Sequence, residues 1–500
     1  MPITPAPNLQ KIGINALTSV AQVIVVGLVY FFLYKFLLHQ LGAAMLGIWS
    51  LVLATASLAT MANLGITAGL VKFVADINAK GEKEGLHTLL FTAFITMSVF
   101  FGVLVVLLYF ILVLLLPKIV AHDYLAVAIK MLPYSLFSLF TNEIGGVFTS
   151  VLDGFQKNYR KNIIYIASSV LMLVAGYCLV PKFGIIGMAY AQAGQSVFVA
   201  CSAFITSLKL IDLGSFLRSR WNKTAFKQMF SYGLKFQFIS VCQMLYEPTT
   251  KALLSKFGGL SLVGFYEMAS RLVSQVKSLL VNANQVMVPV IAAAIHNNKE
   301  EINKIYKSTF DVIMLICVPL ISALVVFAPT ISMLWVGRYE AEFINSIYLL
   351  CVGTFFNIIC GPAYFGFMGE GKLGGLLKAH FFMAIANIVL GVLAGFWLKG
   401  YGIIAMWGIV LASGSILVMQ DYHKHNNILN RQLFTPKTWY LLLSMAGAVI
   451  LIKILFALFG TVALVWQIAI QLIIMIGTLA PFIYTHQYIK RLTSGRLTGK

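Results

Sequence analysis

The residues best suited to chemistry in this 500-residue chain are charges set among apolar neighbours. Glu247 and Lys251 stand four apart, as do Glu267 and Arg271, so each pair can close an ion bridge along one helix face. Lys277 has no acid three or four residues away and cannot easily snorkel; a bridge to Glu143 or Asp311 is its alternative. Lys235 lies nearer the end of its apolar segment, where snorkelling is open to it. An ionisable group at mid-membrane costs about 2.5–3.5 kcal/mol on insertion scales and usually marks a pathway. Together Lys235, Lys251, Arg271 and Lys277 would make a cationic lumen, with Glu143, Glu247, Glu267 and Asp311 as bridging or coupling acids. The natural ligand of such a lumen is an anionic headgroup such as a diphosphate, whose charge offsets desolvated cations. A pocket for cationic drugs would want the opposite sign.

Polar residues at helical spacing extend this pattern. The stripes are Ser240, Gln243, Glu247, Thr250; Glu267, Arg271, Gln275, Ser278, Asn282, Gln285; Ser138, Asn142, Thr149, Asp153; and Asn15, Thr18, Gln22. Steps of three or four keep each set on one face. Hydrocarbon satisfies no hydrogen bonds, so these faces must meet other helices or water. Lining of a central cavity is the favoured reading over bonds between helices.

The elements that must position these groups are apolar spans. The chain is 60% hydrophobic and 10% charged, and a span needs about 20 apolar residues. The spans fall near 12–38, 46–70, 88–116, 124–152, 162–181, 184–208, 229–256, 262–291, 308–335, 343–368, 376–398, 402–420, 439–459 and 463–485. The fold class is all-α integral membrane, with about fourteen transmembrane helices. The longest polar gap, 209–228, is too short for a globular domain, so no catalytic unit is expected. The first span lacks an A-x-A-like cleavage site and is taken as retained. Cys178, Cys201, Cys242, Cys317, Cys351 and Cys360 lie in spans without C-x-x-C spacing, and read as small buried hydrophobes. No metal or cofactor is expected.

A net charge of +20 would suggest nucleic acid for a soluble chain. Here 24 of the 36 Lys and Arg fall in the gaps on one side and 6 on the other. That bias is topology, not nucleic-acid binding, and puts both termini in the cytoplasm with an even number of spans.

The first half is echoed in the second. Lys35-FLLHQLG-42 pairs with Lys251-ALLSKFG-258, and Gly47-Ile48-Trp49 with Gly264-Phe265-Tyr266. Leu152-Asp153-Gly154 pairs with Phe367-Met368-Gly369, and Phe183-Gly184-Ile185-Ile186 with Tyr401-Gly402-Ile403-Ile404. The offset is six spans, so both copies share one orientation. This predicts two six-helix bundles related by a pseudo-two-fold along the membrane normal, plus two C-terminal helices. The expected divisions are 1–210, a 211–228 linker, 229–421 and 422–500.

Three segments carry a resemblance. Asn63-Leu64-Gly65 through Ala75, Gly264-Phe265-Tyr266-Glu267-Met268-Ala269-Ser270-Arg271 with Pro289 beyond it, and Leu152-Asp153-Gly154-Phe155-Gln156-Lys157 resemble segments of bacterial polysaccharide flippases. These belong to the multidrug/oligosaccharidyl-lipid/polysaccharide exporter superfamily, and the likeness covers essentially the whole chain. It implies a non-enzymatic carrier of the bacterial inner membrane. The carrier would move undecaprenyl-diphosphate-linked oligosaccharide, an O-antigen, capsule or exopolysaccharide repeat unit, to the periplasmic leaflet. Membrane lipid and polysaccharide polymerase machinery are the other implied partners. The alternatives are a lipid II flippase or a drug/cation antiporter of the same superfamily. The antiporter usually has twelve spans and an acid in the first, whereas residues 12–38 hold no Asp or Glu. A polymerase or ligase would need a substantial outward loop, and every outward loop here is short.

Overall fold

The computed structural model describes residues 9–57, 66–80, 83–285, 299–370, 372–459 and 464–485, and every regular element among them is helical. In order these are α1 (Leu9–Ser57), α2 (Ile66–Lys80), α3 (Lys83–Ile119), α4 (His122–Gly154), α5 (Asn158–Phe183), α6 (Ile185–Ser207), α7 (Leu213–Arg218) and α8 (Lys223–Met244). There follow α9 (Tyr246–Gly258), α10 (Leu260–Gln285), α11 (Lys299–Ile331) with a π-turn at Ser332–Val336, α12 (Ala341–Ile359), α13 (Gly361–Gly369), α14 (Gly374–Asn426), α15 (Pro436–Phe459) and α16 (Leu464–Thr485). Ten helical stretches among the described residues are long and apolar enough to cross a membrane, and the protein is a multi-pass membrane protein.

Two of these helices are too long to be single spans. At 1.5 Å per residue α1 and α14 would run roughly 75–80 Å, against a hydrocarbon core of about 30 Å. Each is broken where the sequence places a turn: α1 at Gly42 (φ 80°, ψ 169°) and α14 at Lys399 (φ 54°, ψ −147°). The expected seventh span is α8 plus α9, interrupted at Leu245 just ahead of Pro248. The tenth is α12 plus α13, interrupted at Cys360 ahead of Pro362. A proline has no N–H to give to the preceding turn, so the ladder is weakest at both places.

Residues 1–264 and 265–500 form two compact units. The sequence places the boundary earlier, in the 211–228 linker. Packing moves it: α8 lies on α2 and α3, and α9 on α1 and α3. Gly69 of α2 sits against the backbone of Met229 on α8, and Ser255 Oγ donates to the Ile119 carbonyl at 2.7 Å. The core of the first unit gathers buried residues of α2, α3, α4 and α6, with Phe148 edge-on to Phe204 at 4.9 Å. In the second unit α12 packs on α14 and α11. The two helices outside the repeat, α15 and α16, pack on α11. There Gln471 of α16 is buried and accepts from Thr330 Oγ1 at 3.1 Å.

The repeat is visible in the backbone. Gly42 (φ 80°, ψ 169°) has its counterpart in Gly259 (φ 84°, ψ 161°), and Gly184 (φ 60°, ψ −145°) in Lys399 (φ 54°, ψ −147°). The sequence pairs Gly42 with Gly258 and Gly184 with Gly402, so the geometry shifts the register by one residue and by three. Gly187 and Gly402 confirm the second shift. A Cβ on Gly187 would stand 2.6 Å from the Leu179 carbonyl carbon, and one on Gly402 3.1 Å from the Ala394 carbonyl oxygen. Both glycines thus meet the backbone of the helix before them. The repeat mates Gly47 and Gly264 meet each other: a Cβ on either would lie within 3.2 Å of the other's amide nitrogen. Small residues allow helix backbones this approach.

Candidate functional site

The charged residues that the sequence points to are on α9 and on α10, and both i,i+4 pairs form. Glu247 occupies the first turn of α9, where the helix dipole favours an anion. One turn later the Lys251 ammonium bonds its carboxylate. Lys251 is the buried partner, its side chain 2% exposed against 54% for Glu247. On α10 the polarity reverses: Glu267 is 3% exposed and Arg271 40%, joined through Nε and Oε1 at 2.7 Å.

Lys277, half-buried on α10, stands apart from these pairs. Six residues separate it from Arg271, which turns it about 120° around the helix axis. Arg271 and Lys277 therefore do not share one face of α10. Asp311 is exposed on α11, and no ion pair joins it to Lys277 among the described residues. Glu143 is buried on α4 in the first unit. Lys235 lies on α8, but its side chain falls outside the described residues, as do Asn63–Gly65 and Pro289.

One residue near Lys277 escaped the sequence. His380 of α14 is 6% exposed, lies edge-on to Tyr364 at 5.7 Å, and is within electrostatic range of the Lys277 ammonium. Its signal was available: a lone histidine opening an otherwise apolar run, Phe381-Phe382-Met383-Ala384. A second polar cluster also went unread. Tyr306 and His423 meet at 2.6 Å, Asn303 donates to the Asn426 carbonyl at 3.3 Å, and Asn426 donates to Glu370 at 3.2 Å. Lys372 completes it with an ion pair to Glu370 at 3.1 Å. This cluster ties the start of α11 to the ends of α13 and α14.

The stripe on the first span is engaged between helices at Asn15 and Thr18. Asn15 donates to the Gln156 carbonyl at 3.2 Å and accepts from the Tyr159 amide at 3.0 Å. Asn162 of α5 donates to Thr18 Oγ1 at 3.1 Å and Ser19 Oγ at 2.9 Å. These are bonds between neighbouring helices. Asp153, at the end of the α4 stripe, is held by Lys161 at 2.6 Å. Two cysteines also depart from expectation: Cys178 and Cys201 are exposed, while the other four are buried.

The helices and their breaks place the chain in a known class. Its fold is that of the MOP-superfamily transporters. An inward-facing multidrug resistance MATE-family transporter superposes with a TM-score of 0.72 at 16% identity, over 81% of this chain and 98% of that one. The lipid II flippase MurJ in an inward closed conformation gives 0.73 at 15% identity, over 94% and 98%. A MOP-superfamily transporter from Pyrococcus furiosus, described as having a binding pocket of reversed polarity, gives 0.56 at 15% identity, over 83% and 93%. No curated protein matches the chain in sequence. Residues 40–340 match the family described as polysaccharide biosynthesis protein, and the chain belongs to that family.

Proposed function

We propose that this transporter flips undecaprenyl-diphosphate-linked oligosaccharide from the cytoplasmic to the periplasmic leaflet of a bacterial inner membrane, with both termini cytoplasmic. The observation that carries this is Lys277. It is a half-buried cation near the middle of the 262–291 apolar span, and among the described residues no carboxylate pairs with it. A cation held this way is costly unless something charged visits it, and a lipid diphosphate supplies that charge. Glu267 neutralises Arg271 locally on the same helix, so that cation serves as an adjustable partner that the headgroup can draw from its bridge. The family ties the chain to polysaccharide assembly, which favours an oligosaccharide carrier over a drug antiporter. The reaction needs no catalytic group. Alternating exposure of the two copies of the repeat moves the headgroup across, while the lipid chain stays in hydrocarbon. The lipid II flippase is the second reading, favoured by the long structural overlap with MurJ.

A charge-assisted contact is worth about 1.5–3 kcal/mol. Lys277→Ala should therefore sharply reduce surface polysaccharide while protein level holds, and Lys277→Arg should retain more because the charge survives. Full complementation by Lys277→Ala overturns the role. Rescue of a strain lacking its lipid II flippase, with surface polysaccharide unaffected by loss of this protein, would favour the second reading.

A further inference from the structure

The linker between the repeats is fixed to α3 rather than looped into solvent. His87 Nε2 accepts from the Asp212 amide at 3.1 Å, Thr92 Oγ1 from the Asn222 amide at 3.0 Å, and Thr96 Oγ1 from Trp221 Nε1 at 3.1 Å. Where this strap ends, a groove of about 660 Å³ opens along α3 in the first unit. Its floor is the stripe Ile95, Val99, Val103 and Leu107, at steps of four, and Trp221 and Phe226 close its linker end. The twelve residue steps from Ile95 to Leu107 run about 18 Å along α3, close to half of a hydrocarbon core of about 30 Å. That is the depth of a single leaflet.

Four cations flank Trp221 and Phe226 along the chain. Arg218, Arg220, Lys223 and Lys227 are all exposed. The single acid between residues 208 and 246 is Asp212, and it is occupied in capping α7, accepting from the Ser215 amide at 2.7 Å. The Ser215 hydroxyl and amide hold its carboxyl below the ordinary value. It stays ionised, and one negative charge stands against four positive ones in this stretch. On the charge bias of the whole chain this end is cytoplasmic, the leaflet where basic clusters attract anionic lipids by about 1 kcal/mol per residue.

We infer that this groove is a binding site for an anionic phospholipid of the cytoplasmic leaflet, one acyl chain lying along α3 and the headgroup phosphate among Arg218, Arg220, Lys223 and Lys227. The length decides the occupant: a chain confined to one leaflet fits, whereas a polyprenyl chain would overrun the groove. The site uses none of the residues argued for transport and stands independently of that reading.

The test is native mass spectrometry of the full-length protein in detergent, titrated with phosphatidylglycerol or with phosphatidylcholine of the same acyl chains. The wild type should retain phosphatidylglycerol about tenfold or more better than an R218Q/R220Q/K223Q/K227Q variant, with phosphatidylcholine retention alike in both. Val103→Trp, a change on a lipid-facing surface, should reduce phosphatidylglycerol retention by filling the groove with the cations intact. Equal phosphatidylglycerol retention by wild type and the quadruple variant overturns the site. So does an equal loss when Lys304, Lys307, Lys424 and Lys437 are neutralised instead. Preferential retention of undecaprenyl phosphate through the same four residues would also overturn it, by making the groove a substrate site.

Discussion

Two ion pairs with identical spacing and sense, Glu247–Lys251 and Glu267–Arg271, end up with opposite burial. On α9 the cation is inside and the acid out; on α10 the acid is inside and the cation out. Spacing tells which groups meet. It does not tell which of them has given up water, because that depends on what packs against the helix. The distinction has an energetic consequence. Truncating the exposed partner takes the ion pair away from a buried charge, a loss of about 3–5 kcal/mol. Truncating the buried partner leaves an exposed charge free to hydrate.

The largest expected effect tests that asymmetry. Arg271→Met and Glu247→Gln should each destabilise the protein by about 3 kcal/mol, while Lys251→Met and Glu267→Gln should cost about 1 kcal/mol or less. Thermal unfolding in detergent would show it as two well-separated classes of midpoint. Equal effects across the four variants would break the comparison. A Glu267→Ala/Arg271→Ala double variant should recover most of the loss of Arg271→Ala, and failure to recover would show that Arg271 is held by something other than Glu267.

A smaller effect is expected where the repeat copies touch. Gly47→Val drives a branched side chain into the backbone of α10 beside Leu260 and Gly264, an overpacking that costs about 1–3 kcal/mol. Gly194→Val is the control, since nothing lies within 4 Å of a Cβ there. Comparable midpoints for the two would remove the close contact from the account.

The smallest effect sharpens the comparison of the two copies at their turns. Gly184 and Lys399 share one backbone conformation, with φ of 60° and 54°, yet only one is a glycine. A non-glycine residue held at positive φ carries strain of order 1–3 kcal/mol. Lys399→Gly should relieve part of it and gain roughly 0.5–1 kcal/mol after the added freedom of the unfolded chain is counted. Gly184→Ala should lose about as much. A destabilised Lys399→Gly would mean the lysine side chain contributes more than its backbone costs.

The spans, their order and the duplication were legible because bilayer thickness and helical rise leave few alternatives for a chain this apolar. The register was less so. Gly-Ile-Ile recurs at 184–186 and 402–404, and the repeated letters masked a three-residue shift that the turn at Lys399 reveals. Pairing within one helix was readable for Glu247 with Lys251 and Glu267 with Arg271. What crosses between helices was not. Asn15 and Thr18 form the same stripe whether they face a cavity or Asn162, and nothing local to His380 announces Lys277. The linker misled most, since its polar composition reads as a free connection while its amides and Trp221 are bonded to α3.

The division of the chain at Gly264 has a consequence for its synthesis. Sites that complete the first unit, such as Gly69 against Met229 and Gly47 against Leu260 and Gly264, receive their partners only after the sixth apolar helix has emerged. At 5–20 residues per second, the roughly 50 residues beyond 210 take about 3–10 s to be made. Through that interval an inserted six-helix intermediate keeps the small-residue faces of α1 and α2 open to lipid. In a nascent chain stalled near residue 210, a lipid-borne photo-crosslinker should label the faces around Gly47 and Gly69, and labelling there should fall once the chain extends past residue 264.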